Sequence, residues 1–360
     1  MTEAGSSAIR YESDGGGTLD GSRDSIVRRS CSGAAIVIVL FAALIAAAPS
    51  PAAERVLKFG APFPSGSSLH KGMLAFKDAV ESKSHGRIEV DLYPDSRLGD
   101  IAGLLTRLQE GSVDLALLGI STAADVKGGS ALNIGALPFL YKDRKWVEKI
   151  SNGPIYQQIF DDFAKVSNIR IFASYGERLP RAFQTVRGPV RVPSDLKGMR
   201  IRVAPIDIYV ETNKAFGAIP VRSDINTTYE LLKNGTIDGQ ENGIELAIPL
   251  KLYEIAKYWV EVDYAPSLAT WYSTETVWNS LGREDQQLLI DAAKAGGEVI
   301  TALSREQART GIEKLKAEGV MISNPDVEAF RGAVKDIHKR YEGRFWPEGL
   351  VARIKGLQEQ

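Results

Sequence analysis

A short pattern occurs twice in the chain and restricts its fold more than any other feature. Residues 108–114 read LQEGSVD and residues 232–238 read LKNGTID. Each copy predicts a helix that ends at a glycine, Gly111 or Gly235, with a strand directly after it. Such junctions are common, so a single copy could arise by chance. Because a strand and a helix precede both copies in the same order, we predict two α/β lobes of related construction, each with right-handed crossovers.

A strand that carries two arginines precedes the second copy. Residues 195–203 read DLKGMRIRV. Ile201 and Val203 alternate with Arg200 and Arg202, so the two arginines share the opposite face of the strand. Ligands collect at the carboxyl ends of strands in open α/β sheets, which places Arg202 well to hold a carboxylate with its guanidinium. The alternative is that both arginines are solvated surface charges.

The segments that follow the two copies are candidates for a binding site. Residues 119–122 follow the first copy and residues 239–242 end just after the second. In two lobes of related construction these segments face each other across a cleft, which makes Ser121 and Asn242 candidate ligand contacts. Two later aromatic residues, Tyr264 and Trp271, could also reach the cleft, and a core position explains Trp271 better.

Two motifs together resemble a known family. Residues 198–202 read GMRIR and residues 238–242 read DGQEN. This pair is similar to the DctP-type solute receptors of TRAP transporters, which are periplasmic proteins that capture organic acids for a sodium-driven membrane carrier. The resemblance implies an α/β, two-lobe periplasmic-binding-protein fold with a ligand cleft between the lobes. It also implies that the long helical stretch 283–318 braces both lobes.

The resemblance also implies roles for individual residues. In that family the strand arginine holds the ligand carboxylate, which corresponds to Arg202, and the asparagine that closes the second motif orients the ligand, which corresponds to Asn242. A second family arginine corresponds to Arg181, although Arg178 is close enough in sequence to be its rival. Sialic-acid receptors of the family carry a glutamate and an arginine where residues 119–122 read GIST. We therefore expect a smaller and less hydroxylated acid.

Segment boundaries complete the predicted architecture. Lobe I is expected to comprise residues 54–177 and 268–307, and lobe II residues 178–267 and 308–360. Amphipathic spacing predicts helix over residues 141–165, and a further helix is expected over residues 249–258.

The first 53 residues predict export. Residues 1–26 are rich in Gly, Ser and Asp and are expected to be disordered, so we place the true start at Val27. Arg28 and Arg29 precede fifteen apolar residues, 34–48, and small residues then continue to Ala53. This order is typical of a cleaved secretory signal peptide, and the apolar run is shorter than the roughly 20 residues that span a membrane. A periplasmic location is therefore expected.

The remaining composition excludes several functions. Removing the five acidic and four basic residues of 1–53 leaves equal numbers of acidic and basic side chains, which does not favour a nucleic-acid partner. The single cysteine, Cys31, precedes the apolar run, and His70, His85 and His338 are scattered. No sequence motif indicates a catalytic residue, a metal site or a cofactor.

These observations favour a solute receptor. We expect the protein to bind a small organic acid as a monomer and to deliver it to the membrane subunits of a TRAP transporter. Two alternatives stay open: an exported enzyme that acts on a small acid, and a ligand-sensing receptor of the same fold.

Overall fold

The computed structural model describes residues 53–359, so the predicted signal peptide lies outside the described residues. Within this range strands and helices alternate, as expected for an α/β fold. No helix in this part of the chain combines the length and the apolar character that crossing a membrane requires.

The strands form two sheets. In chain order the strands are β1 Arg55–Gly60, β2 Ile88–Tyr93, β3 Leu115–Gly119, β4 Ile169–Glu177, β5 Ala182–Thr185, β6 Arg200–Val203, β7 Ile219–Arg222, β8 Gly239–Asn242, β9 Tyr258–Glu261, β10 Leu268–Thr274 and β11 Met321–Ser323. The first sheet has the order β2-β1-β3-β10-β4 and the second the order β11-β9-β5-β8-β6-β7. Every strand of each sheet falls inside the segments expected for one lobe, while the lobe boundaries themselves remain predictions.

The directions in which the strands pair show which strand ends lie at the same edge of a sheet. In the first sheet β1 pairs in parallel with β2 and β3, and β10 runs antiparallel to both β3 and β4. In the second sheet β6 pairs in parallel with β7 and β8. The carboxyl ends of β6 and β8 therefore lie at one edge of that sheet, where ligands commonly bind.

Helices connect and cover the sheets. They are α1 Ser68–Lys83, α2 Ile101–Glu110, α3 Arg144–Ser151, α4 Pro154–Ser167, α5 Asp207–Ala215, α6 Thr228–Lys233, α7 Ile244–Ala247, α8 Glu275–Ser280, α9 Arg283–Ala317, α10 Val327–Val334, α11 Ile337–Tyr341 and α12 Leu350–Gly356. Short 3-10 helices span Ile120–Ala123, Ser130–Ala136, Pro193–Leu196, Ile225–Thr227 and Leu252–Glu254.

The duplicated pattern has the predicted local structure. Gly111 ends α2 with φ 74° and Gly235 follows α6 with φ 72°, a left-handed conformation that a side chain would disfavour. Strand β3 begins four residues after the first glycine and β8 four residues after the second. Each copy is thus followed by a strand, and these two strands end at Gly119 and Asn242.

The long helix α9 contributes to two separate cores. Leu289, Ala292 and Ile300 pack with Phe76 and Trp271 in the core under the first sheet. Farther along the helix, Leu315 packs with Trp259 and Leu252 in a core of the second lobe. The helix therefore joins both lobes, as the resemblance implied.

Two helix predictions are wrong in detail. Residues 141–165 form two helices, because Gly153 has an extended backbone and Pro154 starts a new helix at its first position. Residues 249–258 contain a single 3-10 turn, Leu252–Glu254, because Lys251 adopts a left-handed conformation that stops an α-helix. Neither change affects the strand ends described above.

Candidate functional site

A cavity lies between the two sheets and encloses about 720 Å³ of empty space, its open mouth included. Residues of both lobes line it. The polar side chains on its wall are Ser121, Thr122, Ser151, Arg178, Arg181, Arg202, Tyr209, Asn242 and Ser267. The apolar side chains are Pro62, Phe63, Ile101, Leu118, Ile120, Val147, Ala204, Ile206, Ile225, Leu246, Pro266 and Leu268.

The structure brings four of the five predicted site residues together on this wall. Ser121 follows β3, Arg202 lies in β6, Asn242 ends β8, and Arg181 directly precedes β5. The two loops that follow the duplicated pattern thus meet at one cavity. All four side chains are more than nine-tenths buried, so charges on this wall interact more strongly than they would in open water.

Tyr264 is not on the cavity wall, which corrects its predicted position. Its ring is fully buried and stacks with Phe183, with ring centroids 6.3 Å apart. Its hydroxyl donates to Glu241 Oε2 over 2.8 Å. Burial, the nearby Glu241 carboxylate and this hydrogen bond raise the pKa of Tyr264 well above its ordinary value. The residue supports the wall from behind, and Trp271, as expected, lies in the core.

Arg181 is held by a carboxylate. Its Nε and Nη2 donate to the two carboxylate oxygens of Glu241 over 2.6 and 2.7 Å, and its guanidinium lies over the Tyr209 ring at 4.1 Å from the centroid. Burial opposes its charge, but Glu241, Tyr209 and Tyr264 hold the pKa of Arg181 well above the ordinary value. The charge of this arginine is therefore already compensated.

Arg178, the rival of Arg181, also lines the cavity and has a carboxylate partner. Its Nε and Nη2 donate to Glu245 Oε1 over 3.2 and 3.1 Å, and its Nη2 also donates to Asn242 Oδ1 over 2.9 Å. Its guanidinium lies 5.4 Å from the centroid of the Phe63 ring. The structure therefore places both candidates at the site rather than choosing between them.

Arg202 differs from the other two arginines. Its side chain is 1% exposed, and Nε and Nη2 donate to one backbone oxygen, Ser223 O, over 3.0 and 2.5 Å. Its Nη1 is buried and has no hydrogen-bond partner among the described residues. Burial lowers the pKa of Arg202 to about 10, although Glu241 and Asp224 act in the opposite direction. A buried guanidinium with an unpaired N–H group can form a strong, charge-assisted hydrogen bond to an anion.

The side-chain amide of Asn242 uses its oxygen within the protein and can offer its NH₂ group to a ligand. Its Oδ1 accepts hydrogen bonds from Arg178 Nη2 over 2.9 Å and from the Gly243 backbone N–H over 3.0 Å. These two bonds fix the orientation of the amide, which leaves the Nδ2 group as a donor for another partner. The side chain can therefore offer a neutral N–H to a bound molecule.

Two carboxylates that sequence reasoning missed complete the site. Glu241 and Glu245 are fully buried and hold Arg181 and Arg178. Strand alternation in the DGQEN motif could have shown that Glu241 and Asn242 face opposite sides of β8. Nothing in the sequence pairs Glu245 with Arg178, since these two residues are 67 positions apart.

The fold and the site together define a two-lobed solute-binding protein. The chain belongs to the bacterial extracellular solute-binding protein family 7, DctP, whose family model matches residues 59–344. The resemblance found in the sequence, the two-lobe fold and the solute-binding class are thereby confirmed.

Relatives and solved structures agree with this assignment. The chain is 27% identical to the 2,3-diketo-L-gulonate-binding periplasmic protein YiaO of Escherichia coli (strain K12), with 82% of this chain and 89% of that protein covered. It is also similar to a TRAP periplasmic solute binding protein of Ochrobacterium anthropi with bound L-fuconate, at 27% identity and TM-score 0.78, with 84% and 98% covered. A third similar protein is the TRAP periplasmic solute binding protein of Bordetella bronchispeptica, with density assigned to pantoate, at 26% identity and TM-score 0.78, with 84% and 98% covered.

Proposed function

We propose that this protein captures a small organic acid in the cavity and delivers it to the membrane subunits of a TRAP transporter. The observation that carries the proposal is the buried Nη1 of Arg202, a residue of the cavity wall, which has no hydrogen-bond partner among residues 53–359. A carboxylate there would complete the hydrogen bonding of the guanidinium and compensate its charge. The carboxylic acids bound by the similar proteins support the same class of ligand.

The proposed roles follow from the contacts. Arg202 anchors the carboxylate, and Asn242 Nδ2, held in place by Arg178, orients it. Arg181 keeps its ion pair with Glu241 and shapes the wall, with Tyr264 behind it. Ser121 bounds the opposite side, where its hydroxyl donates to Leu132 O over 2.7 Å.

A binding screen tests the proposed ligand class. Thermal-shift measurements of the purified protein against a carboxylate library should find acids that raise the melting temperature, and calorimetry should confirm one site per chain. Uncharged amides of the same acids are the control, and they should give no shift. A library in which amides and acids behave alike would contradict the proposal.

The second part of the proposal is that the protein binds its ligand without converting it chemically. Mass spectrometry of the ligand before and after incubation with the protein should show no change in mass. A new product that forms in proportion to the protein would favour the exported-enzyme alternative. Light scattering should give the mass of a monomer.

Location and transport complete the proposal. We propose that the signal peptide is removed and that the periplasmic protein begins near Ala53 or Glu54. Intact-mass measurement of periplasmic material checks this terminus, and recovery of residues 1–26 on the exported protein would contradict it. Deleting the gene should abolish high-affinity uptake of the ligand, and uptake that continues unchanged would contradict the transport role.

A further inference from the structure

Within residues 53–359 the chain passes between the two sheets three times. It leaves the first sheet after β4, returns to it with β10, and reaches the second sheet again through the long helix α9. Backbone hydrogen bonds join the first two passages. The Arg178 N–H donates to Ser267 O over 3.1 Å, and the Asp263 N–H donates to Arg181 O over 2.8 Å. A rotation of one lobe against the other must therefore bend these neighbouring segments together.

The side chain of Arg144, in helix α3, contacts both of these segments. Its Nη2 donates to Asp263 Oδ1 over 2.5 Å, and its Nη1 donates to the backbone oxygen of Arg178. The same Nη1 lies 3.6 Å from Oε1 of Glu177, the last residue of β4. A planar guanidinium with five N–H donors suits such a site, because it can bond several oxygens at once.

The third passage joins the same group of charges. Glu177 Oε2 accepts hydrogen bonds from Nε and Nη2 of Arg305 in α9 over 3.1 and 3.0 Å, and the Glu177 N–H donates to Thr301 Oγ1 of the same helix over 2.9 Å. We call the four charged side chains Arg144, Glu177, Asp263 and Arg305 the hinge cluster. This cluster contacts all three passages between the sheets within the described part of the chain.

One bond of the hinge cluster connects the two lobes directly. Helix α3 is fixed to β4 of the first sheet, because Asn152 Nδ2 donates to Ser174 O over 2.7 Å and Asn152 Oδ1 accepts from the Ser174 N–H over 3.1 Å. Asp263 follows β9 of the second sheet, and its N–H is bonded to Arg181 O next to β5. The bond from Arg144 to Asp263 therefore runs from one lobe to the other at the point where they are connected.

The hinge cluster also reaches the cavity wall through a single residue. Arg178 accepts the hydrogen bond of Arg144 with its backbone oxygen, and its own guanidinium donates to Glu245 and Asn242 on the wall. A shift of the backbone at Arg178 would move this guanidinium as well. The conformation of the passages and the geometry of the wall are therefore linked.

We infer that Arg144 is a positioning residue, which holds the three passages in the conformation that brings the two cavity walls together. The lobes are in contact in this structure, since Asn226 Nδ2 of the second lobe donates to Pro62 O of the first over 2.8 Å. The hinge cluster favours this arrangement to the extent that a more open one loses its bonds. The inference goes beyond the proposed function, because it concerns the protein without a ligand.

The distance between the lobes tests the inference. Cys31 is the only cysteine of the chain, so Cys31→Ser combined with Lys71→Cys in α1 and Lys233→Cys in α6 gives one labelling site on each lobe. Both lysines are exposed. Pulsed electron paramagnetic resonance of the doubly spin-labelled protein measures the distribution of interlobe distances. Native mass spectrometry verifies that no acid has copurified.

Arg144→Ala should shift this distribution to longer distances or broaden it. Arg144→Lys should have a smaller effect, because an ammonium keeps the charge but cannot reproduce the geometry of the guanidinium. Hydrogen exchange of the Asp263 N–H should become about tenfold faster in Arg144→Ala, because the segment loses a hydrogen bond between charged groups.

Arg170→Ala is the matched control. Arg170 Nε and Nη2 donate to Glu275 over 2.6 and 2.8 Å, and its Nη1 donates to Asp161 over 3.2 Å, so this variant also loses bonds to two carboxylates. All three residues fall in the segments expected for the first lobe. Arg170→Ala should therefore lower stability without changing the distribution of interlobe distances.

A second variant decides the matter if Arg144→Ala does not fold. Asp263→Asn keeps the shape of the side chain and removes its charge, so it should change the distance distribution in the same direction as Arg144→Ala. Asp161→Asn, at the partner of the control arginine, should leave the distribution as it is in the wild type.

A distance distribution that stays unchanged in the folded variants overturns the inference. This holds even if hydrogen exchange at Asp263 becomes faster, because the hinge cluster would then stabilise the fold without controlling the lobes. Such a result leaves the proposed function in place, since the measurements are made without an acid. Failure of every acid to bind would contradict the proposed function and not this inference.

Discussion

Arg181 and Glu241 form a two-bond ion pair that is at least 97% buried, with N–O distances of 2.6 and 2.7 Å. The carboxylate also accepts the hydroxyl of Tyr264. Breaking such a pair would leave an unpaired buried charge, which is strongly destabilising. The pair therefore holds this part of the cavity wall in one geometry.

The first prediction concerns Tyr264 as a supporting residue. Tyr264→Phe removes a buried hydrogen bond to a carboxylate and should lower the free energy of unfolding by about 1.5–3 kcal/mol, measured by urea denaturation. Ligand affinity should change much less, because the hydroxyl does not reach the cavity. Tyr229→Phe is the control, since its hydroxyl donates to Glu254 over 2.7 Å at an exposed site, and it should cost less than about 0.5 kcal/mol. A Tyr264→Phe protein of normal stability with much weaker binding would contradict this assignment.

The second prediction identifies the anchor. Arg202→Lys should weaken carboxylate binding by roughly 2–4 kcal/mol, because an ammonium cannot reproduce the geometry of the guanidinium. Arg200→Lys changes the same strand outside the cavity, where Arg200 pairs with Asp238 over 2.9 Å, and it should leave affinity within about twofold. Calorimetry that finds equal affinities for the two folded variants would disprove the role of Arg202.

The third prediction uses the fixed amide of Asn242. Asn242→Ala should cost about 1–2 kcal/mol of binding free energy, the worth of a neutral hydrogen bond and the partner it leaves unsatisfied. Asn242→Asp should cost more, although it is nearly isosteric, because it replaces the N–H donor by a negative charge facing the ligand. Arg178 would still bind the new carboxylate, so the fold should survive, which a melting curve checks. Tighter binding by Asn242→Asp than by Asn242→Ala would refute the donor role.

These predictions also show where sequence reasoning succeeds and where it stops. The repeat predicted a helix that ends at Gly111, and α2, Ile101–Glu110, does end there because that glycine adopts a left-handed conformation. The strand face that carries Arg202 followed from simple alternation. The sequence could not predict that Arg202 forms no salt bridge among the described residues. This outcome depends on which arginines pair with Glu241 and Glu245, and those carboxylates come from separate elements. Tyr264 was misplaced because an aromatic residue near a cleft and one behind its wall look alike in sequence.

The fourth prediction concerns closure of the lobes. Asn226 Nδ2 donates to Pro62 O over 2.8 Å and to Ser96 Oγ over 3.1 Å, contacts that join the rim of one lobe to the other. Asn226→Ala should weaken ligand binding by about 5–30-fold, because the closed form loses contacts that an open form does not have. Small-angle scattering should show a larger radius of gyration for the ligand-free variant than for ligand-free wild type, and equal values with saturating ligand.

A control makes this test specific. Asn234→Ala removes an exposed side chain whose Oδ1 accepts a hydrogen bond from the Thr236 N–H of the same turn over 3.0 Å, and it should not change affinity or scattering. If ligand leaves the wild-type scattering curve unchanged, the closure mechanism does not apply to this protein.

The fifth prediction is a dependence on pH. Burial lowers the pKa of Arg202 to about 10, so the ligand-free protein loses about half of this charge at that pH. A bound carboxylate favours the charged form, so binding should take up a proton near pH 10 and affinity should fall as the pH rises further. Calorimetry in two buffers of different ionisation heat measures the proton uptake. Arg202→Gln should show no uptake, and wild-type affinity that stays level up to about pH 11 would contradict the prediction.

The position of β10 has a consequence for how the protein is built. This strand lies between β3 and β4, and β4 has no other neighbour in its sheet. It is made only after β5 to β9, all of which belong to the second sheet. Most of the second sheet's strands therefore precede β10 in the chain, and the first sheet cannot be completed until β10 is present. Because β11 in turn returns to the second sheet after β10, neither sheet can be excised as one uninterrupted segment of the chain.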